Sequence, residues 1–280
     1  MILIKGTFHV IGLSPDGDSV RFRADRKSNW RKIEDTYHVE VNGSDCAQLR
    51  FEGIDAPETH FQGNVNHQPL EWAHGARDFT LAHLGIRDAV WGPTESRVTS
   101  AIDGTRGYIV SRMVERNRRP VSFVFAGTTS KSDGATVYFD VMWMKQSLNY
   151  KLLRAGLAYP TYYDTLYYDL RDAMSSGAVD AFNNGSGLWP YDRSSGVNVT
   201  SLNVIREQHT IFPKLFRRLV EYMRNRSSMS GFKSWLEEKQ ERVLILSRGQ
   251  TTHFDTVIEQ QGNRISMTVE PEDLVFDPRW

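Results

Sequence analysis

The 280-residue chain predicts an α+β fold. Three observations carry that reading. Short runs of alternating apolar and polar residues, punctuated by Gly, Asp and Pro, recur through the region up to position 144. Apolar residues at helical spacing recur near 69–84, 146–155 and 167–183. After Trp189 the composition changes, and a shorter mixed block of helical and strand-like patterns follows.

The elements follow in order. The N-terminal segment Met1-Ile2-Leu3-Ile4-Lys5-Gly6-Thr7-Phe8 reads as the first strand, placed at about 4–12. Strands are expected at about 19–24, 37–41 and 47–53. A helix over about 69–84 starts at Pro69, whose missing N–H suits a first helical position, and sets Trp72, Ala76 and Phe79 on one face. Strands follow near 88–91, 96–101, 107–114, 120–126 and 136–144. In the helix 146–155, Leu148, Leu152 and Ala155 share a face, and Gly156 stands where a C-terminal cap would. In the helix 167–183, Leu170, Met174, Ala178 and Phe182 recur every four residues, and Gly185-Ser186-Gly187-Leu188-Trp189 ends it. Residues 193–203, within a Ser-, Gly- and Asn-rich stretch, read as a linker. Beyond them a helix over about 208–225 has Phe212, Leu215, Phe216, Leu219 and Met223 on its apolar face, with Lys214, Arg217, Arg218 and Arg224 elsewhere. A helical stretch at about 230–240 and a run Val243 to Leu246 come next. Phe254 to Ile258 is expected to pair with Ile265 to Val269 through a turn at Gly262-Asn263.

Composition narrows the function. The 34 basic and 34 acidic residues balance, so attraction to a polyanion has to come from a local patch, and Arg112, Arg116, Arg118 and Arg119 form the best one. The single cysteine, Cys46, excludes an internal disulfide. No run of 18 apolar residues spans a membrane. The eight histidines follow neither zinc-site nor HExxH spacing. The N-terminus is too short for a signal peptide, so with Met1 as the native start the expected compartment is the cytoplasm; a removed upstream signal would make the protein secreted.

Two segments concentrate chemistry: Asp16-Gly17-Asp18-Ser19-Val20, and Leu49-Arg50 followed by Ile54-Asp55-Ala56-Pro57-Glu58. Converging carboxylates attract a hard divalent cation, and an arginine fork beside it clamps a phosphoryl oxygen. The order and spacing of the two segments resemble the thermonuclease (staphylococcal-nuclease-like) family over about residues 5–192. Its arginine is followed five residues later by an Asp-Thr/Ala-Pro-Glu run, as Arg50 is by Asp55 to Glu58. Glu115 to Phe125 is similar to the family's segment bearing a second arginine, here Arg119. Arg106 is a rival, set aside because Arg119 precedes the strand leading to the Asn149 helix, as in the family. Asn149 to Ala158 resembles the family's Asn-x-x-Leu-Leu-x-x-Gly-Leu-Ala helix.

The resemblance implies an OB-fold five-stranded barrel with three helices over 1–192; the residue pattern adds a small α+β extension over 204–280, which resembles no known family. It implies a nuclease that hydrolyses DNA, with RNA as a further substrate, with little sequence preference, and leaves 3′-phosphates. Arg50, Glu58 and Arg119 are the expected catalytic residues; Asp18, Asp55 and the Ala56 carbonyl the expected metal ligands. Asp16 orients the ligands, Arg116 contacts phosphate, and Tyr162 stacks on a base. The family's metal is calcium (Ca2+); the residues themselves also allow magnesium (Mg2+) or manganese (Mn2+). Two other classes stay open: a non-catalytic OB-fold module that binds nucleic acid or peptide, and a specialised intracellular nuclease of a toxin or anti-invader system. For the tail, the readings are a packing extension, a homodimer interface, or a nucleic-acid-recruiting module that presents Lys214, Arg217 and Arg224.

Overall fold

The computed structural model describes residues 1–63, 65–93 and 95–277. Its elements run β1 (Ile2–His9), β2 (Arg21–Ala24), β3 (Ala47–Gln48), β4 (Arg50–Phe51), β5 (Ile54–Asp55), α1 (Leu70–His83), β6 (Arg87–Trp91), β7 (Val98–Ile102), β8 (Thr105–Val114) and β9 (Pro120–Ala126). Then come α2 (Val141–Met144), α3 (Leu148–Arg154), β10 (Tyr159–Pro160), β11 (Tyr162–Tyr163), α4 (Tyr168–Asn183), β12 (Val197–Asn198), α5 (Pro213–Met223) and α6 (Phe232–Glu237). The chain ends with β13 (Arg242–Ile245), β14 (Gln250–His253), β15 (Ile258–Gln261), β16 (Arg264–Met267) and β17 (Leu274–Phe276). Two units emerge: Met1–Glu52 with Ala76–Leu152, and Gly53–Gly75 with Leu153–Trp280.

The first unit is built on one six-stranded sheet, in the order β3-β2-β1-β8-β9-β4. β1 pairs antiparallel with both β2 and β8, and β8 pairs antiparallel with β9. Leu49 alone separates β3 from β4, yet those strands lie at opposite edges of the sheet. The chain therefore carries one edge round to the other, and the sheet is nearly closed and barrel-like. Leu3, Ile4, Phe8, Phe22, Ile109, Val110, Phe123 and Val124 are fully or almost fully buried. Gly107 sits where a Cβ would lie 2.1 Å from the Phe8 ring, so only glycine lets that ring in. Asn149 on α3 locks this unit. Its amide donates to the carbonyls of Glu52 (2.9 Å) and Ser122 (3.0 Å) and accepts from the Val124 N–H (3.0 Å), all without access to water.

The second unit has a separate apolar core. Tyr159, Leu188 and Trp189 share it with Phe212, Leu215, Phe216, Leu219, Phe232, Phe254 and Phe276. A four-stranded sheet, β11-β17-β13-β14, pairs Tyr162 with Val275 near the C-terminus. A three-stranded sheet, β12-β16-β15, holds Val197 against Ile265. β5 pairs with β10, Asp55 opposite Tyr159.

Several expectations need correction. The sheet has six strands where five were expected. Residues 37–41 make only a bridge from Val41 to Ala47, because the β2 edge is taken by β3 and Tyr37 has nothing to bury against. The segment 136–144 alternates like a strand, but Asp140 accepts the Trp143 N–H at 2.8 Å and starts α2 instead. The tail helix begins at Pro213 rather than 208, as a residue without an N–H favours. The Gly262-Asn263 turn forms as expected, with its strands shifted to 258–261 and 264–267. Residues 193–203 are not a free linker: Val197 and Val199 are buried, and Ser194 accepts the Met267 N–H (2.7 Å) through its carbonyl and the Phe212 N–H (2.8 Å) through its hydroxyl. The grouping of 153–192 with the tail cuts across the boundary expected at 192/193.

Two outcomes follow. Asn149→Ala removes three buried hydrogen bonds to the backbone and should cost roughly 3 kcal/mol in denaturant unfolding. A chain ending at residue 193 would expose Tyr159, Leu188 and Trp189 and lose the β11 partner strand. It should lose cooperative thermal unfolding by circular dichroism, and Phe212→Ala in the full chain should cost about 3–5 kcal/mol.

Candidate functional site

Within the first unit the expected site residues are placed by backbone pairing. The turn Asp16–Ser19 closes through the Asp16 N–H to the Ser19 carbonyl (3.1 Å), and Asp16 Oδ1 accepts the Gly17 N–H (2.8 Å). Thr80 of α1 donates to the Gly17 carbonyl at 2.7 Å. The N–H groups of Leu49 and Phe51 donate to Val20 and Asp18 (2.9 and 3.0 Å), so the turn lies against the strand segment that carries Arg50. Arg50 is in register with Val121 of β9, and Arg119 lies two residues before Val121.

Arg119 ends the hairpin loop between β8 and β9. Its Nε donates to Glu115 (2.9 Å), which also accepts from Asn117 (3.0 Å) and is itself buried. Arg118 holds a positive φ of 61° in this loop, and Arg116 is exposed. Arg118 and Arg119 line a cavity of about 270 Å³ with Arg21, Asn42, Gln48 and Asn117. The rival Arg106 makes a two-fold salt bridge to Asp25, at 2.8 and 2.7 Å. Cys46 is buried, and burial pushes its thiol pKa up, away from the reactive thiolate.

Asp55, Ala56 and Glu58 belong to the second unit. Gly53 makes the entry: its φ is +76°, and a Cβ there would meet the Met174 side chain at 2.7 Å. Asp55 on β5 is 5% exposed. Its carboxylate and that of Glu58 converge on a residue from the tail. Arg217 Nη1 donates to Asp55 Oδ1 (3.0 Å) and Glu58 Oε1 (2.5 Å), and Nη2 donates to Asp55 Oδ2. Burial works against the guanidinium's charge, but Asp55 and Glu58 outweigh it and hold its pKa well above the ordinary arginine value. Gln68 sets the spacing of the two sides. It is fully buried, accepts the Glu58 N–H (3.2 Å), donates its own N–H to the Glu58 carbonyl (2.9 Å), and donates its side chain to the Ile211 carbonyl (2.6 Å) just before α5.

Among the described residues no three His, Cys, Asp or Glu side chains form a ready metal cage. The pair Asp55 and Glu58 nevertheless fits a hard cation in donor chemistry: both supply carboxylate oxygens, and both already meet one positively charged nitrogen. Tyr162 needs correction as a base-stacking residue. It is fully buried, its hydroxyl accepts from Ser175 (3.0 Å), and its ring has no face open to a base. Tyr167 and Tyr168 are the exposed tyrosines nearby, at 50% and 75%.

Sequence reasoning read Arg217 only as part of a solvent-facing basic side. The available signal was the spacing of Lys214, Arg217 and Arg218 on a helix whose other positions are mostly apolar, which leaves little polar surface for the three cations to share. Lys214 meets Glu241 at 3.0 Å, and Arg218 meets it at 2.6 and 2.7 Å. Lys214 and Arg217 therefore face carboxylates rather than a phosphate backbone, while Arg224 is exposed.

Burial pushes the Glu241 carboxyl up, but the Arg218 hydrogen bonds and the charges of Lys214 and Arg218 outweigh it and bring the pKa down to about 2. A depressed carboxylate stabilises above its unfolded pKa and loses that contribution as pH falls. The window is therefore from about 4.5 down to about 2, and the contribution at neutral pH is about 3 kcal/mol. Glu241→Gln should lower the melting temperature at pH 7 and flatten the acid limb of the stability profile between those values.

No protein-family model matches the chain. No curated protein matches it either.

Proposed function

We propose that the chain is a divalent-metal-dependent phosphodiesterase that hydrolyses nucleic acid, its barrel-like sheet being an OB-type barrel of the thermonuclease kind. The observation that carries this reading is the convergence of Asp55 and Glu58, two of the three carboxylates of the Arg50–Glu58 motif, on one cationic nitrogen. These two carboxylates of a segment with that sequence resemblance thus lie close enough to share one positive charge.

On this reading each residue does one job. Asp18, Asp55 and the Ala56 carbonyl are the oxygen donors for the cation, with calcium first and magnesium or manganese as substitutes. A bound divalent cation would supply Lewis-acid polarisation of the phosphoryl group. Arg50 and Arg119 hold the equatorial phosphoryl oxygens and bind them more strongly as charge gathers there. Glu58 orients and deprotonates the attacking water. Asp16 shapes the turn that carries Asp18. Arg116, exposed at the hairpin tip, contacts a neighbouring phosphate. DNA is the first substrate and RNA the second, with cleavage leaving a 3′-phosphate.

One observation favours a second reading. Arg217 already neutralises Asp55 and Glu58, as suits a non-catalytic module that binds nucleic acid. The test separates the two. The full chain is incubated with single- and double-stranded DNA and with RNA, each with Ca2+, Mg2+, Mn2+ or chelator. Cleavage that needs a divalent cation supports the enzyme. Binding without cleavage under every cation favours the module. In the active case Arg50→Ala, Arg119→Ala and Glu58→Gln should each lower turnover by roughly 10²-fold or more, whereas Arg106→Ala should be mild.

A further inference from the structure

Arg217 occupies the position that matters most for the proposed chemistry. Its Nη1 lies 3.0 Å from Asp55 Oδ1 and 2.5 Å from Glu58 Oε1. A calcium ion takes oxygen ligands at about 2.3–2.6 Å, so an ion bridging these two carboxylates would fill the same space. Two positive charges that close repel strongly where water is scarce, and the side chains of Asp55, Glu58 and Arg217 are only 7%, 13% and 21% exposed. We propose that Arg217 closes the Asp55–Glu58 pair against divalent cations, so that a cation enters only when the guanidinium swings away. The inference rests on the reading of that pair as a cation site.

The surroundings say what moves. Helix α5 is held by Leu215, Phe216 and Leu219, which water does not reach, and by Lys214 and Arg218 on Glu241. Gln68 ties Ile211, two residues before the helix, to Glu58. The helix backbone is therefore fixed relative to the carboxylates, and release is a rotation of the Arg217 side chain alone. Arg217 is more exposed than either carboxylate it binds. A phosphate group is a natural new partner for the released fork.

The test reads cation binding directly. Calcium affinity is measured by calorimetry, and the melting temperature is measured with and without calcium, for the full chain and for Arg217→Ala, Arg217→Lys and Arg217→Ala combined with Glu58→Gln. Arg217→Ala should bind calcium at least roughly 10-fold more tightly than the unmodified chain. It should melt lower without calcium and regain stability with it. The combined variant should lose the gain. Arg217→Lys cannot fork across both carboxylates and should gain at least about 3-fold, which keeps the test open if Arg217→Ala does not fold. A folded Arg217→Ala with unchanged affinity overturns the proposal, as does an unchanged Arg217→Lys where Arg217→Ala is unfolded. Cleavage assays on the same variants separate this from the functional reading. Tighter calcium binding without cleavage of any nucleic acid sinks the phosphodiesterase and leaves the closure standing. Metal-dependent cleavage with unchanged calcium affinity does the reverse.

Discussion

Three full charges in the second unit lie where water barely reaches: Arg217, Asp55 and Glu58. Removing an ion from water costs several kcal/mol even after relaxation, and the cost is offset only by close, well-aligned partners. Arg217 meets that condition with a fork on Asp55 and a bond to Glu58. Helix α5 repeats the solution beside it, where Lys214 and Arg218 share Glu241. The placement of the helix is thus fixed twice, by an apolar stripe and by carboxylates from distant segments. Each charge is satisfied only in one register, because rotating α5 by one residue would carry all three cations off their partners.

The first unit answers a different constraint, the closure of a small sheet. Five residues, 47–51, supply both of its edge strands, so the sheet has almost no free edge to shield. That closure needs close packing inside, which Gly107 permits for Phe8, and a firm link to α3, which Asn149 provides. The same crowding gives the Asp16–Ser19 turn its position. Thr80 fixes one side of it and the Phe51 N–H the other. Arg50 and Arg119 are set differently. Arg50 lies within a paired strand, whereas Arg119 leaves a hairpin loop under the control of Glu115.

Local chemistry made much of this legible in the sequence. The β1, β8 and β9 strands and α1 follow their apolar spacing, α4 buries Leu170, Met174 and Ala178 but leaves the expected Phe182 exposed, and Gly262-Asn263 makes its turn. The failures share one cause, competition from a partner that spacing does not report. Asp140 turned an alternating segment into a helix start through one hydrogen bond. Val197 and Val199 drew a Ser- and Gly-rich stretch into a core, against its loop-like composition. Tyr162, expected to stack on a base, has its ring buried in a strand that pairs with residues 113 positions later. Arg217 was the hardest to foresee, since its carboxylates lie 162 and 159 positions away. A helical pattern shows which side is apolar, but not whether a charge on the other side meets water or an acid.

The nine residues Arg50 to Glu58 form one continuous motif in the sequence, yet they divide between the two units after Glu52. Arg50 takes its place from the closed sheet, through β9. Asp55 and Glu58 take theirs from β10, Gln68 and α5. A change in the tail therefore acts on Asp55 and Glu58. Loss of Phe212 or Leu215 would loosen α5, and with it the cation that neutralises Asp55 and Glu58. Two like charges left together in a poorly hydrated place raise the free energy of the folded chain and attract any other cation at hand. The tail thus sets both the stability of the motif and its charge, so its role cannot be separated from the chemistry proposed for residues 50–58.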